Sequence, residues 1–151
     1  MQLSMFTDYA LRVLLHLAAS PDQLLSTRQI AEIHSARYNH LSKVTAWLVN
    51  EGYARASRGR GGGLRLARAP SEINMGKVVR ALEADKPLVE CMRPDGGACR
   101  LSPACGLASA LDMAQSAFYD VLDRYTLADL TRLAPGMRNL LAAMKPEVQA
   151  I

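Results

Sequence analysis

The chain predicts a mainly α-helical fold with a single short β-hairpin and one long helix near its end. Three observations carry this. Apolar residues recur at three- and four-residue spacing through most of the 151 residues. The period changes once, around the glycine-rich run Arg58-Gly59-Arg60-Gly61-Gly62-Gly63. All three cysteines fall in one Gly/Pro-interrupted loop between helical segments.

The first helix is marked by Leu3, Phe6, Ala10, Val13, Leu14 and Leu17 and ends near Ser20-Pro21. Ser26 and Gln29 then have the spacing of a capping box, opening a short helix with Ile30, Ala31 and Ile33. A turn at Ser35-Ala36 leads into a third helix, with Leu41, Val44 and Leu48 on one face and Gly52 as its stop. Trp47 belongs to the packing face of that helix. Two short helices joined by a tight turn form a helix-turn-helix. The segments Tyr53–Ser57 and Leu64–Ala67 flank the glycine run and form a hairpin, and a hairpin in that place is a wing. Asn74 caps a fourth helix bearing Met75, Val78, Val79 and Leu82. Beyond the cysteines, Leu107, Leu111, Ala114, Phe118, Val121, Leu122 and Tyr125 mark the long helix. Thr126 caps a further short one, which Pro135-Gly136 ends. Met137, Leu140, Leu141 and Met144 leave another helical turn or a frayed end open.

This order reads as a mainly α winged helix-turn-helix with a two-stranded wing and a long C-terminal dimerisation helix. The expected division is a DNA-binding domain over 1–83, a cysteine loop over 84–106, and a dimerisation helix with a helical tail over 107–151. Ala108, Ala110, Met113 and Ala117 make a second side of the long helix apolar. One chain of this size cannot cover both sides, so Leu107, Leu111, Ala114, Phe118 and Val121 are expected at a homodimer interface.

Charge distribution points to the ligand. The net charge is +4, and residues 52–71 hold Arg55, Arg58, Arg60, Arg65 and Arg68 with no acid. Such a patch meets phosphates. The third helix of a winged helix enters the major groove by its N-terminal end, which here presents Arg37, Tyr38, Asn39, His40 and Lys43. Arg37 or Lys43 suits guanine and Asn39 suits adenine, while Tyr38 or His40 can bond base or phosphate. Arg28 is placed for a phosphate, and Arg58 and Arg60 for the minor groove or its backbone. The expected partner is a double-stranded DNA operator. The glycine run is no nucleotide loop, because no Gly-Lys-Ser/Thr follows it. No nucleophile–base pair or paired-carboxylate arrangement stands out, so no enzyme is expected. Asp8 and Arg12 interrupt the apolar N-terminus, and no apolar run is long enough to span a bilayer. A cytoplasmic protein without a membrane partner is expected, in a compartment where thiols stay reduced.

Cys91, Cys99 and Cys105 form an odd set, which reads poorly as a disulfide framework and well as soft ligands. Their intervals are x7 and x5, with no histidine nearby, unlike the C-x2-C pairs usual in zinc sites. Wide spacing suits a loop wrapped around a bulky iron–sulfur cluster. Zinc, a thiol redox switch and three plain reduced thiols remain alternatives at this point. Three thiolates leave one coordination position for another group.

The ordered motifs Phe6-Thr7-Asp8-Tyr9-Ala10-Leu11-Arg12, Arg58–Leu66, Pro87-Leu88-Val89-Glu90-Cys91, Cys99-Arg100-Leu101-Ser102-Pro103-Ala104-Cys105, Ala117-Phe118-Tyr119 and Tyr125–Leu130 resemble the winged-helix iron–sulfur regulators typified by NsrR, IscR and RirA. The resemblance covers about residues 1 to 135 and is greatest to the nitric-oxide-sensing NsrR repressors. It implies a homodimeric repressor with one iron–sulfur cluster per subunit, [4Fe-4S] ahead of [2Fe-2S], held by Cys91, Cys99 and Cys105. It also implies that Asp8, from the first helix of the other subunit, completes the ligand set. Read without the resemblance, Asp8 is a first-turn carboxylate favoured by the helix dipole. Nitric oxide is the implied signal: attack at the non-cysteine position breaks the link to the first helix and moves the reading heads out of register. The x7 interval is longer than in many NsrR sequences and nearer the RirA pattern, which leaves iron or cluster status as the alternative signal. The odd ligand of the IscR group has no counterpart, since no histidine follows Cys105 closely.

Overall fold

The computed structural model describes residues 2–57, 59, 61–84, 86–101 and 104–144. Its elements follow the expected order: α1 (Met5–Ala19), α2 (Thr27–Ile33), α3 (Tyr38–Asn50), β1 (Ala54–Ala56), β2 (Leu64–Leu66), α4 (Met75–Glu83), α5 (Gly106–Asp123), α6 (Leu127–Leu133) and α7 (Met137–Ala143). Short 3₁₀ turns lie at Pro70–Glu72 and Glu90–Met92.

α1 is the axis of the core. Ala10, Val13, Leu14 and Leu17 are buried along one stripe, and the helix packs on α3, α6 and α4. Ile30 of α2, Leu41, Val44 and Leu48 of α3, and Val78 of α4 close around it. Leu127, from beyond α5, is fully buried in the same cluster. Each full burial of such a side chain contributes about 1.5–3 kcal/mol, so this apolar stripe holds α1 in place.

The helix ends are built by local chemistry. The Ser26–Gln29 capping box is closed in both directions: the Gln29 N–H donates to Ser26 Oγ at 3.3 Å and the Ser26 N–H to Gln29 Oε1 at 2.9 Å. A second box joins Thr126 and Asp129. α3 stops where Gly52 takes φ 69°. Trp47 is half-buried, edge-on to Phe6 and stacked on Tyr53, so it packs rather than reads. The wing strands are antiparallel, with Ala54 opposite Leu66, Arg55 opposite Arg65 and Ala56 opposite Leu64. The Leu64 N–H donates to Leu25 O at 2.9 Å, tying β2 to the segment ahead of α2.

Asn74 serves two helices. Its Oδ1 accepts from the Lys77 N–H at 2.9 Å and caps α4, while its Nδ2 donates to Asp123 O at 2.7 Å and satisfies the end of α5. Arg80 then grips Asp123 with two bonds of 3.1 and 2.7 Å. Gly76 lets the helices approach: a Cβ there would fall 2.8 Å from the Asp123 backbone nitrogen and 2.0 Å from its Oδ1. Gly76→Ala is therefore expected to destabilise the chain by about 1–3 kcal/mol. A urea midpoint equal to the parent's would show that α4 and α5 are free to separate.

α5 is the outlier. None of its residues is buried, and Leu107, Met113 and Val121 are 64, 69 and 50 % exposed. α7 resolves the open end of the chain as a helix. Arg138 from it donates to Ala19 O at 3.2 Å, closing the C-terminus of α1.

Candidate functional site

The helix-turn-helix is set by a tight turn. Ser35 has φ 50°, and the Ala36 N–H reaches back to Ala31 O at 2.8 Å. Arg37 takes the N-cap position of α3, and Arg37, Tyr38, Asn39, His40 and Lys43 are all exposed on its opening turns. Arg28 on α2 reaches the same end, with its guanidinium 5.1 Å from the Tyr38 ring centroid. The structure thus gathers these six residues at one end of the α2–α3 pair. Arg58 and Arg60 lie outside the described residues.

The wing adds a pair of cations. Arg55 and Arg65 face each other across the ladder, both exposed. Directly opposed like charges destabilise a strand pair. Neither of them, nor Arg28, Arg37 or Lys43, has an ion pair with a described carboxylate. A surface that leaves cations unneutralised is suited to a polyanion. Arg68 departs from the expected patch. It donates to Gly52 O and Glu51 O, each at 2.8 Å, and lies over the Tyr53 ring. The carbonyls at the end of α3 need donors, and Arg68 supplies them.

The cysteine loop starts at Lys86-Pro87. Cys91 sits in the 3₁₀ turn Glu90–Met92, Cys99 follows a Gly96-Gly97 bend, and Cys105 takes the N-cap position of α5 without a side-chain capping bond. Glu90 organises the bend by accepting from the Ala98 N–H at 3.1 Å. Gly97, at φ 61°, comes so close that a Cβ would lie 2.5 Å from Glu90 O. All three thiols are unpaired and half-buried. Among the described residues no three Cys, His, Asp or Glu side chains are gathered around a common metal position. The donor chemistry fits an iron–sulfur cluster: three free thiols on one loop, with no disulfide using any of them. Asp8 stands on the first turn of α1, paired with Arg12 through contacts of 3.0 and 2.7 Å.

Two features escape a reading of the sequence. Glu83, at the end of α4, joins α1 to the start of the loop. Its Oε1 accepts from the Ser4 N–H at 3.1 Å, the Ser4 hydroxyl at 2.9 Å and the Thr7 hydroxyl. Lys86 pairs with it at 3.5 Å and donates to Ser4 Oγ at 2.7 Å. Burial pushes the Glu83 carboxyl up, but the bonds from Thr7 and Ser4 and the Lys86 charge outweigh it and hold it below the ordinary range. A carboxylate in the last turn of a helix opposes the dipole, and that was the available signal that Glu83 has a partner elsewhere. The second feature is the pair of buried His16 and half-buried His34, whose Nδ1 and Nε2 lie 3.0 Å apart.

Burial, and then the neighbouring imidazole, push His16 down to about 4. His34 is lowered too, by burial and Arg12 against an opposing pull from Asp8. Both are neutral in the fold near neutral pH. In the unfolded chain they titrate near about 6.5, so that state binds more protons as the pH falls. Stability present at pH 7 is therefore lost as the pH drops from about 6.5 toward 4. His16 alone is expected to remove about 2 kcal/mol by about pH 5. Urea midpoints across this range should show it, with a flatter profile for His16→Leu.

A helix-turn-helix with a basic wing, its reading helix exposed and its cations unpaired, defines a winged-helix DNA-binding regulator. The chain belongs to the Rrf2 family, described as iron-dependent transcriptional regulators, whose model matches residues 3–133. It is 46 % identical over 147 residues to the HTH-type transcriptional regulator NsrR of Halalkalibacterium halodurans, covering 97 % of this chain and 100 % of that one. It is also 46 % identical to the regulator of the same name from Bacillus subtilis, over 93 % of this chain and 97 % of the relative. Among solved structures it resembles T. potens IscR, with a TM-score of 0.70 at 25 % identity, covering 89 % of this chain and 88 % of the other. The protein is a DNA-binding transcription regulator and not an enzyme. No helix among the described residues is long and apolar enough to cross a membrane.

Proposed function

We propose that the chain is a homodimeric transcriptional repressor that senses nitric oxide through an iron–sulfur cluster, one per subunit, held by Cys91, Cys99 and Cys105. The observation that carries this reading is a set of three unpaired thiols on one loop, between the wing domain and an uncovered α5. Likeness to regulators named NsrR supports it. When bound, the cluster would present an iron open to nitric oxide at its non-cysteine position.

This chain's own residues supply the rest. Arg28, Arg37, Tyr38, Asn39, His40 and Lys43 read and grip the operator, with Arg58 and Arg60 at the wing tip. Leu107, Leu111, Ala114, Phe118 and Val121 pair α5 with a second copy. Asp8 serves the other subunit's loop as fourth ligand once it is released from Arg12. Glu83 and Lys86 hold the N-terminus of α1 against the root of the same chain's loop, so loop and α1 move as neighbours. The long Cys91–Cys99 interval favours a second reading, in which loss of the cluster at low iron is the signal.

Iron and sulfide analysis of oxygen-free protein tests the cofactor, run beside the spectrum of Asp8→Ala. The expected result is iron and sulfide in equal amounts, with a spectrum altered in the variant. Protein lacking both would leave a thiol switch or a zinc-stabilised module.

A further inference from the structure

Neither His16 nor His34 has a role in the reading above, yet their placement is specific. Asp8, Arg12 and His16 follow at four-residue intervals along one stripe of α1. His16 is 2 % exposed, and its Nδ1 meets His34 Nε2 at 3.0 Å with the rings set edge to face. Among the described residues this is the one hydrogen bond between α1 and the unit formed by α2, the turn and α3. His34 closes α2: its N–H donates to Ile30 O at 3.0 Å, and the next residue is Ser35 with its φ of 50°. The direction in which α3 leaves is set at this point. Apolar contacts between helices tolerate small slides, whereas a hydrogen bond weakens steeply with distance and angle, and on the His16 side, which is buried, no water can replace it.

We infer that His34 is a positioning residue for operator binding: its bond to His16 locks the helix-turn-helix turn to α1, so that a displacement of α1 at Asp8 reaches the first turn of α3. What displaces α1 rests on the proposed cluster reading. The lock itself is a property of the cluster-free chain, which lets the two ideas fail separately.

The test compares His34→Leu, which removes the bond, with His34→Gln, whose amide nitrogen or oxygen can take the place of Nε2. In cluster-free protein, amide exchange at residues 34–40 is expected to quicken about tenfold in His34→Leu and to stay near the parent in His34→Gln. In cluster-loaded protein, the ratio of operator affinities before and after cluster removal is expected to shrink about fivefold in His34→Leu alone. Unchanged exchange in His34→Leu would overturn the lock whatever the cluster does. Equal effects of Leu and Gln would also overturn it, because ring volume and not the bond would then be responsible. Faster exchange with an unchanged affinity ratio would overturn the transmission to α3. A parent whose operator affinity ignores the cluster would instead contradict the proposed function, leaving the exchange result to decide the lock.

Discussion

Alanine at Cys91, Cys99 or Cys105 is expected to abolish stable retention of iron and sulfide while leaving the fold intact. None of the three thiols is fully buried, and among the described residues the fully buried side chains all lie outside the loop. Substitutions at such positions usually change stability by no more than about 0.5 kcal/mol, so the cluster-free variants should melt with the cluster-free parent. Cluster loss at each of three positions, with seven and five residues between them, would mark them as one ligand set. Retention of the full cluster by any one variant would remove that cysteine from the set. A fall in the cluster-free melting temperature of many degrees would show that the loop supports the core after all.

The second large effect is expected on α5. Leu107 and Val121 are exposed in the single chain, so glutamate at either costs the isolated subunit little. Buried against a second copy, an unpaired carboxylate costs several kcal/mol, enough to weaken a dimer by about a thousandfold. Sedimentation of the Leu107→Glu, Val121→Glu double variant should therefore give a monomer at micromolar concentration, with far-UV circular dichroism like the parent's. An intact dimer would place the subunit interface elsewhere and leave the exposure of α5 unexplained. The α4 side of the helix, where Arg80 and Asn74 hold Asp123, is untouched by these changes.

Local chemistry was the legible part of this fold. Ser26, Asn74 and Thr126 announce helix starts because a cap and its partner lie three residues apart, and Gly52 announces a stop because α3 needs a left-handed residue there. The wing is legible from the change of period around its glycines. Partners far apart in sequence are not. Glu83 meets Ser4 and Thr7 across more than seventy residues, and His16 meets His34 across eighteen; the place of Glu83 at a helix end hints at a partner, but no pattern names the partner of either. Arg68 reads as one more cation of the basic patch, although the end of α3 occupies it. The Asp8–Arg12 pair was within reach, since its four-residue spacing is that of a helical ion pair. α7 stayed open because it is only seven residues long and buries none of its apolar side chains, so no core stripe distinguishes it.

For the site, residue types carried the chemistry and folding supplied the neighbourhood. The odd, confined set of thiols is visible in the chain itself. That Glu83 and Lys86 bind the root of their loop to the N-terminus of α1 emerges only in three dimensions.

The most direct test of the central claim is operator binding by anaerobic, cluster-loaded protein titrated with nitric oxide, with iron followed in the same samples. The account predicts tight binding that falls away within a few equivalents of nitric oxide per cluster, in step with the change at the iron. Binding that survives after the cluster has fully reacted would contradict it.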